Sequence, residues 1–289
     1  MRILFVSQYF PPEMGAPSAR VSELARRWVD AGEEVTVLTA FPHHPVGRKA
    51  PGDRWRLTRR ESFHGVDVLR AYIWATPNRG VVRRMLSYLS FLLSALAVGL
   101  IRGGRTDIVV ATSPQLLAAC AGYALARFHR VPFVFEVRDL WPESILAVGA
   151  MQENPLVRGL KRMSRHLYEH SDQIVTAGEG YREQIHRLYG VPRERMITLP
   201  NGIDPQLFRP APAGTDVRRE LGAGVGQFLV LYLGTLGMAH GLDTLLEVAE
   251  RLRHRPEIAF ALVGEGAEKD RLMRLAADRR LTNVRFVGQ

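Results

Sequence analysis

A single cysteine among 289 residues, Cys120 in an alanine-rich apolar stretch, excludes a disulfide framework and reads as a small buried side chain in a reducing compartment. Lysine is nearly as scarce. It stands only at 49, 161 and 269, so arginine carries most of the formal charge of +10. An excess of that size suits an anionic partner, whether nucleic acid, a phosphorylated small molecule or an acidic lipid surface, without choosing among them. No basic segment interleaved with aromatics is present, so nucleic acid is not the expected partner. A signal peptide is also lacking: MRILFVSQYFPP has one basic residue and a short run that breaks into turn residues, which is a first strand, and a cytoplasmic location is expected. His43 and His44, in Phe41-Pro-His-His-Pro, have no cysteine or carboxylate in their motif and point apart on an extended segment. No metal site is therefore expected, and the pair is read as cleft lining or surface.

What is present is ample apolar content, 46% of the chain, enough for one large core or two smaller ones. Short apolar runs alternate with longer amphipathic segments throughout, the pattern of a parallel sheet covered by helices. Strands are predicted at 3–7, 34–39, 66–71, 108–111, 133–137, 173–177 and 196–199, which make one doubly wound domain over residues 1–200. Residues 201–226, rich in proline, alanine and glycine from 209 onward, read as a linker around one short helix. A second series begins at 227, with strands near 228–234, 258–263 and 284–287. Three parallel strands leave edges unpaired and one face poorly covered, so the second domain is expected to be incomplete at Gln289, the chain having been cut.

Four segments can carry chemistry. The loop after the first strand, ending in Gly15 and Ala16 before an amphipathic helix, lets backbone N–H groups approach an anion, or it is a plain turn; the spaced glycines of the dinucleotide fingerprint are absent. The run Phe135-Glu-Val-Arg-Asp-Leu-Trp-Pro-Glu places Arg138, Asp139 and Glu143 at the C-terminal end of an apolar strand, the edge where open α/β sheets bind ligands. Asp139 is the candidate catalytic residue, able to take a proton from an acceptor hydroxyl or to hold a sugar hydroxyl. A surface pair of Arg138 with Glu143 or Asp139, over a packed Trp141, is the alternative. Gly234, Thr235, Gly237 and His240 follow a strand of the second domain, where glycines admit phosphate oxygens and Thr235 and His240 can donate to them. Val263-Gly-Glu-Gly, containing Glu265, repeats that geometry at the next strand. Residues 85–101 carry no charge and lie between Arg83, Arg84 and Arg102, Arg105. A helix here is either a buried connection or one whose apolar face enters a single leaflet while arginines meet lipid phosphates; the basic insertion-like loop with Arg48, Lys49, Arg54, Arg56, Arg59 and Arg60 favours the second.

Taken in order, the loop 8–20, Phe41-Pro-His-His-Pro-Val-Gly, Asp139-Leu-Trp-Pro-Glu-Ser, Leu199-Pro-Asn-Gly-Ile-Asp, Gly234-Thr-Leu-Gly-Met-Ala-His-Gly and Val263-Gly-Glu-Gly resemble the family 4 glycosyltransferases. The resemblance covers the whole chain and is nearest to the bacterial surface-polysaccharide branch related to N-acetyl-fucosamine transferases. It implies a GT-B fold of two facing Rossmann-like domains, with the acceptor on the first and a nucleoside diphosphate sugar on the second. It also implies a retaining enzyme that uses no metal or other cofactor. Gly15 would lie against the donor phosphates and Asn201 in the interdomain cleft. Thr235 and His240 stand where many members have Arg and Lys, which shifts phosphate binding toward backbone N–H groups. Thr112 and Ser113 replace a histidine often placed against the transferred sugar. The family's paired-glutamate motif would lie beyond Gln289.

The expected function is transfer of an amino or deoxy sugar from a UDP-sugar to a polyprenyl-linked or polysaccharide acceptor in cell-envelope glycan synthesis. The protein would sit peripherally on the inner face of the membrane, and this chain would be a fragment of low activity. A nucleotide-sugar epimerase on the same fold and a non-catalytic lipid-surface remnant are the alternatives. Nothing in the residues speaks to an oligomeric state.

Overall fold

The computed structural model describes residues 1–43, 47–76, 81–149, 151–206, 208–209 and 215–288. His44 and residues 210–214 of the linker lie outside them. The chain divides into two compact units, Met1–Gly202 and Ile203–Gln289.

The first unit is an α/β domain on an eight-stranded sheet. Its strands are β1 (Arg2–Val6), β2 (Glu34–Ala40), β3 (Thr58–Phe63), β4 (Val66–Ala71), β5 (Ile108–Thr112), β6 (Phe133–Val137), β7 (Gln173–Thr176) and β8 (Met196–Thr198), in the order β3-β4-β2-β1-β5-β6-β7-β8. All neighbours are parallel except β3 and β4. The parallel strands other than the edge pair β3–β4 are nearly continuous apolar runs because both faces are covered. On one face Leu4, Val6, Leu38, Leu69, Val109 and Ala111 pack under α2 (Val81–Arg102), α3 (Leu116–His129) and α5 (Pro155–His170). On the other, Ile3, Phe5, Val35, Val37 and Val68 pack under Val21 and Ala25 of α1 (Ala16–Asp30). The alternation of these two sets along each strand follows from the period of two. Short α4 (Glu143–Ala147) follows β6, and α6 (Glu179–Tyr189) joins β7 to β8.

The antiparallel strand β3 departs from the sequence expectation, which reads residues 48–60 as a loop. Its sequence, TRRESF, has almost no apolar content, and its half-exposed pattern is that of an edge strand held by side-chain pairs. Arg60 donates two hydrogen bonds to Asp67 (2.8 and 2.7 Å), and Arg59 pairs with Asp53 at 2.6 Å. Arg70 of β4, only 1% exposed, donates to Glu61 (2.8 Å), to the Ala40 carbonyl (3.1 Å) and to the Pro11 carbonyl (2.5 Å). One buried guanidinium thus ties the edge strand to the loop after β1.

The second unit holds a three-stranded parallel sheet, β11-β10-β9, formed by β9 (Phe228–Leu233), β10 (Ile258–Val263) and β11 (Val284–Val287). Short α7 (Thr215–Glu220) precedes it. Leu246 of α8 (Asp243–Arg251) and Leu272 of α9 (Lys269–Asp278) pack with Phe260 and Leu262 on one face. Leu231 and Leu233 point the other way along β9 and are exposed.

Candidate functional site

In the first unit the strand order reverses direction between β1 and β5, since β2 and β4 extend one side and β6 to β8 the other. At such a switch point the connections leave the sheet on opposite faces and open a crevice at the C-terminal strand ends. The loops that end β1, β5 and β6 form this edge.

After β1 the chain runs to Gly15, whose φ of 137° is open to glycine and strained for other residues, and then enters α1 with no side chain capping the first turn. Ala16 is the first helical residue, so free N–H groups of the helix start at this edge. Behind the loop, Glu13 (6% exposed) accepts a hydrogen bond from the His43 backbone N–H at 2.8 Å, and its carboxylate lies 3.2 Å from His43 Nδ1. His43 also stacks on Tyr9 at 5.8 Å between ring centres. His43 is therefore a buried support of the loop.

One helical turn beyond Gly15, Arg20 gathers four acceptors. Its Nε donates to Glu136 Oε1 (2.8 Å), Nη1 to the Pro200 carbonyl and Asn201 Oδ1 (both 3.1 Å), and Nη2 to the Leu199 carbonyl (3.0 Å). Both side chains of the ion pair are nearly closed to water, 8% exposed for Arg20 and 3% for Glu136. Arg20 and Glu136 escape sequence reasoning, although Glu136 gives a signal: a carboxylate inside the apolar run FVFEV needs a cationic partner.

At the end of β6, Arg138 accepts positioning through its backbone, whose N–H donates to Ser113 Oγ at 3.3 Å, while the Ser113 hydroxyl donates to the Asp139 carbonyl at 3.4 Å. Ser113 thus bridges the ends of β5 and β6. Burial pulls the Arg138 guanidinium below the usual arginine range; Glu136 opposes this and Arg20 adds to it. Its Nη1, like Oε2 of Glu136, is buried without a hydrogen-bond partner among the described residues. Asp139 Oδ2 accepts from Ser144 Oγ at 3.1 Å. Asp139 is half-buried at the edge and forms no ion pair with Arg138 among the described residues.

Gly15, Ala16, Arg138, Asp139 and Asn201 are thus brought to one edge of the first unit. Glu143 opens α4, and its Oε1 accepts a hydrogen bond from the Tyr189 hydroxyl; burial, followed by that hydrogen bond, drives the Tyr189 pKa far above the ordinary phenol value. Trp141 packs against the core beneath this segment, and its carbonyl accepts from Ser164 at 2.9 Å.

In the second unit the two glycine-bearing loops lie against each other. Leu236 N–H donates to the Glu265 carbonyl at 2.9 Å, and Glu268 N–H to the Leu236 carbonyl at 3.0 Å. A Cβ on Gly264 would sit 1.9 Å from the Gly234 oxygen, and one on Gly266 2.2 Å from the Leu236 oxygen, so these glycines permit backbone contact between the loops. Gly234 and Gly237 are half-buried; Thr235 and His240 are exposed at the same strand end. The Thr235 carbonyl accepts from Tyr232 at 2.8 Å, and the exposed Glu265 pairs with Lys269 at 2.5 Å. The hydroxyl of Thr235 and the imidazole of His240 remain presented to solvent, able to donate to an oxyanion.

The glycosyl transferase 4-like domain matches residues 15–202, and the domain described as glycosyl transferases group 1 matches 215–289. Over 296 residues the chain is 27% identical to the putative colanic acid biosynthesis glycosyl transferase WcaI of Escherichia coli (strain K12), covering 99% of this chain and 71% of that protein. Among solved structures, sucrose-phosphate synthase from Thermosynechococcus elongatus superposes with a TM-score of 0.72 at 19% identity, covering all of this chain and 70% of the other. Anabaena HepE in complex with UDP-glucose superposes with a TM-score of 0.67 at 16% identity, again covering all of this chain and 69% of the other.

Proposed function

We propose, for a chain that belongs to the glycosyltransferases through its glycosyl transferase 4-like domain and following group 1 domain, that it moves a sugar from a UDP-sugar to a lipid-linked acceptor with retention of anomeric configuration. Glycosyltransferase function in glycan synthesis is the common ground of the family and of the relative named for colanic acid biosynthesis. The finer assignments, an amino or deoxy sugar donor, a polyprenyl-linked acceptor and residence at the inner face of the membrane, are our reading.

The observation that carries it is Arg138 Nη1, buried with no hydrogen-bond partner among the described residues, in the residue next to Asp139 at the switch-point edge. A buried cation lacking one partner is paired on binding an oxyanion or a hydroxyl, and the charge-assisted bond is then stronger than a neutral one. Asp139 holds a sugar hydroxyl or takes its proton, Gly15 and Ala16 offer backbone N–H groups to donor phosphates, and Asn201 anchors the segment that leaves the unit. In the second unit Gly234, Thr235, Gly237 and His240 bind the diphosphate, largely through N–H groups. Glu265, one strand further, takes a donor hydroxyl. Glu143 acts through the fold, where it accepts a hydrogen bond from Tyr189. The HepE complex supports a UDP-sugar donor by fold likeness.

The test is release of UDP from a panel of UDP-sugars with a polyprenyl-diphosphate-linked sugar as acceptor. Asp139→Ala and Arg138→Met are expected to lower turnover by at least about a hundredfold while the unfolding transition stays in place. Unchanged turnover in both variants would remove this edge from the site. Interconversion of free UDP-sugars without UDP release would favour the epimerase.

A further inference from the structure

The surface that remains unexplained by sugar transfer is the outward side of α2. Facing the sheet, Ser87, Phe91, Ala95 and Gly99 are buried at four-residue intervals, with Phe91 and Ala95 in the core beside Leu38 and Leu69. Advancing about 100° per residue puts Val82, Leu86, Leu89, Leu93 and Leu100 on the opposite side. They are 42–72% exposed. A helix of a water-surrounded domain carries charge there. This one carries none between 85 and 101, and no Asp or Glu occurs from 68 to 106.

A second element joins this stripe. The Trp74 backbone N–H donates to Ser90 Oγ at 2.8 Å and the Ser94 hydroxyl donates to the Tyr72 carbonyl, so the chain leaving β4 runs along α2 and sets the exposed Trp74 beside it. The antiparallel register Thr58↔Ala71, continued one step, brings Leu57 opposite Tyr72. Leu57 is 71% and Trp55 82% exposed. The Arg54 guanidinium lies 5.3 Å from the Trp55 ring and Lys49 Nζ 4.0 Å from the Tyr72 ring. Arg48, Arg54 and Arg56 of the same loop and Arg83 at the start of α2 are exposed, while the one acid of the loop, Asp53, is buried in its pair with Arg59.

We infer that α2 together with the Trp55–Leu57 loop and Trp74 forms a two-part footprint for the interface of an acidic phospholipid bilayer, α2 lying in the plane of the membrane. This deepens the lipid-linked acceptor reading and rests on it for its purpose. Apolar side chains enter the acyl boundary, tryptophans sit at headgroup depth and arginines meet lipid phosphates. Twenty-two residues of helix are long enough to span a bilayer, but the inner face is committed to the sheet. Charge chooses the occupant: a surface with arginines and no exposed carboxylate complements anionic lipid, whereas a neutral apolar partner would leave the arginines unmatched.

The experiment is sedimentation of the full chain with phosphatidylcholine vesicles and with vesicles containing about one-third phosphatidylglycerol, at low and high salt. Binding is expected to the acidic vesicles, at least about tenfold weaker to neutral ones and falling with salt. The Leu89→Glu/Leu93→Glu variant is expected to lose at least about tenfold, and Trp55→Ala/Leu57→Ser about threefold or more, with circular dichroism unchanged. Equal binding by variants and the unchanged chain, or equal binding to neutral vesicles, overturns the footprint. So does burial of the stripe in a dimer, detected by ultracentrifugation without lipid. UDP release is read in parallel: vesicle binding without transfer sinks the transfer reading alone, and transfer to the lipid-linked acceptor without vesicle binding sinks the footprint alone.

Discussion

Removing Arg20 leaves Glu136 as a carboxylate almost closed to water, without its ion-pair partner among the described residues and with only the more distant charge of Arg138 near it, and frees the carbonyls of Leu199 and Pro200 together with Asn201. Breaking a buried ion pair from one side costs about 3–5 kcal/mol, because the remaining charge stays desolvated. For a unit of this size each kcal/mol corresponds to about 2–4 °C in Tm, so Arg20→Met is expected to lower the first unit's unfolding temperature by roughly 6–20 °C. Replacing both partners, Arg20→Met with Glu136→Leu, removes the stranded charge and is expected to restore most of that loss. Differential scanning calorimetry and urea unfolding of the two single variants and the double variant close the cycle. A loss of less than about 1 kcal/mol in Arg20→Met, or a double variant no more stable than the single ones, would refute the view that this pair is a desolvated charge system anchoring the exit of the chain at Asn201.

Gly264→Ala is expected to destabilise the second unit by at least about 3 kcal/mol, since its φ of +146° and the Gly234 oxygen at 1.9 Å both exclude a side chain; urea unfolding followed by the second unit's transition checks this. Burial pushes the Cys120 thiol up to about 11. At pH 8 its thiolate fraction, about one in a thousand, predicts modification by a disulfide reagent roughly a hundredfold slower in the folded chain than in urea, and equal rates would contradict it. Hydrogen bonds from the Arg2 side chain and backbone hold the Asp107 carboxyl down at about 2, below the ordinary 3.8. A depressed carboxyl stabilises the fold above its unfolded value and loses that contribution as pH falls from about 4 through about 2, so Asp107→Asn is expected to flatten the acid limb of stability over that window.

Strands β1, β2, β4 to β8 and all three strands of the second unit are legible as apolar runs because a sheet covered on both faces leaves few polar positions to blur the pattern. β3 is not, since TRRESF is held by ion pairs at an edge and carries no apolar period. The edge itself is legible through Arg138 and Asp139, polar residues directly after an apolar strand. Its organiser is hidden: Arg20 finds Glu136 and Asn201 across separations of 116 and 181 residues, and no local spacing reports such a contact. Glu143 shows the converse, an acid in the right stretch of sequence whose carboxylate the fold turns toward Tyr189. In the second unit the glycines of Val263-Gly-Glu-Gly suggest approach of a ligand, and the structure shows that those at 264 and 266 admit the neighbouring backbone.

The central claim, acceptor-dependent transfer from a UDP-sugar, is tested most directly by supplying a UDP-sugar labelled at the anomeric carbon with a polyprenyl-linked acceptor and following both products by NMR. The account predicts UDP in equal amount to a new glycoside that keeps the donor's anomeric configuration, and no UDP when the acceptor is left out. UDP release that is indifferent to the acceptor, or label that returns in an isomerised UDP-sugar with no glycoside formed, would contradict it.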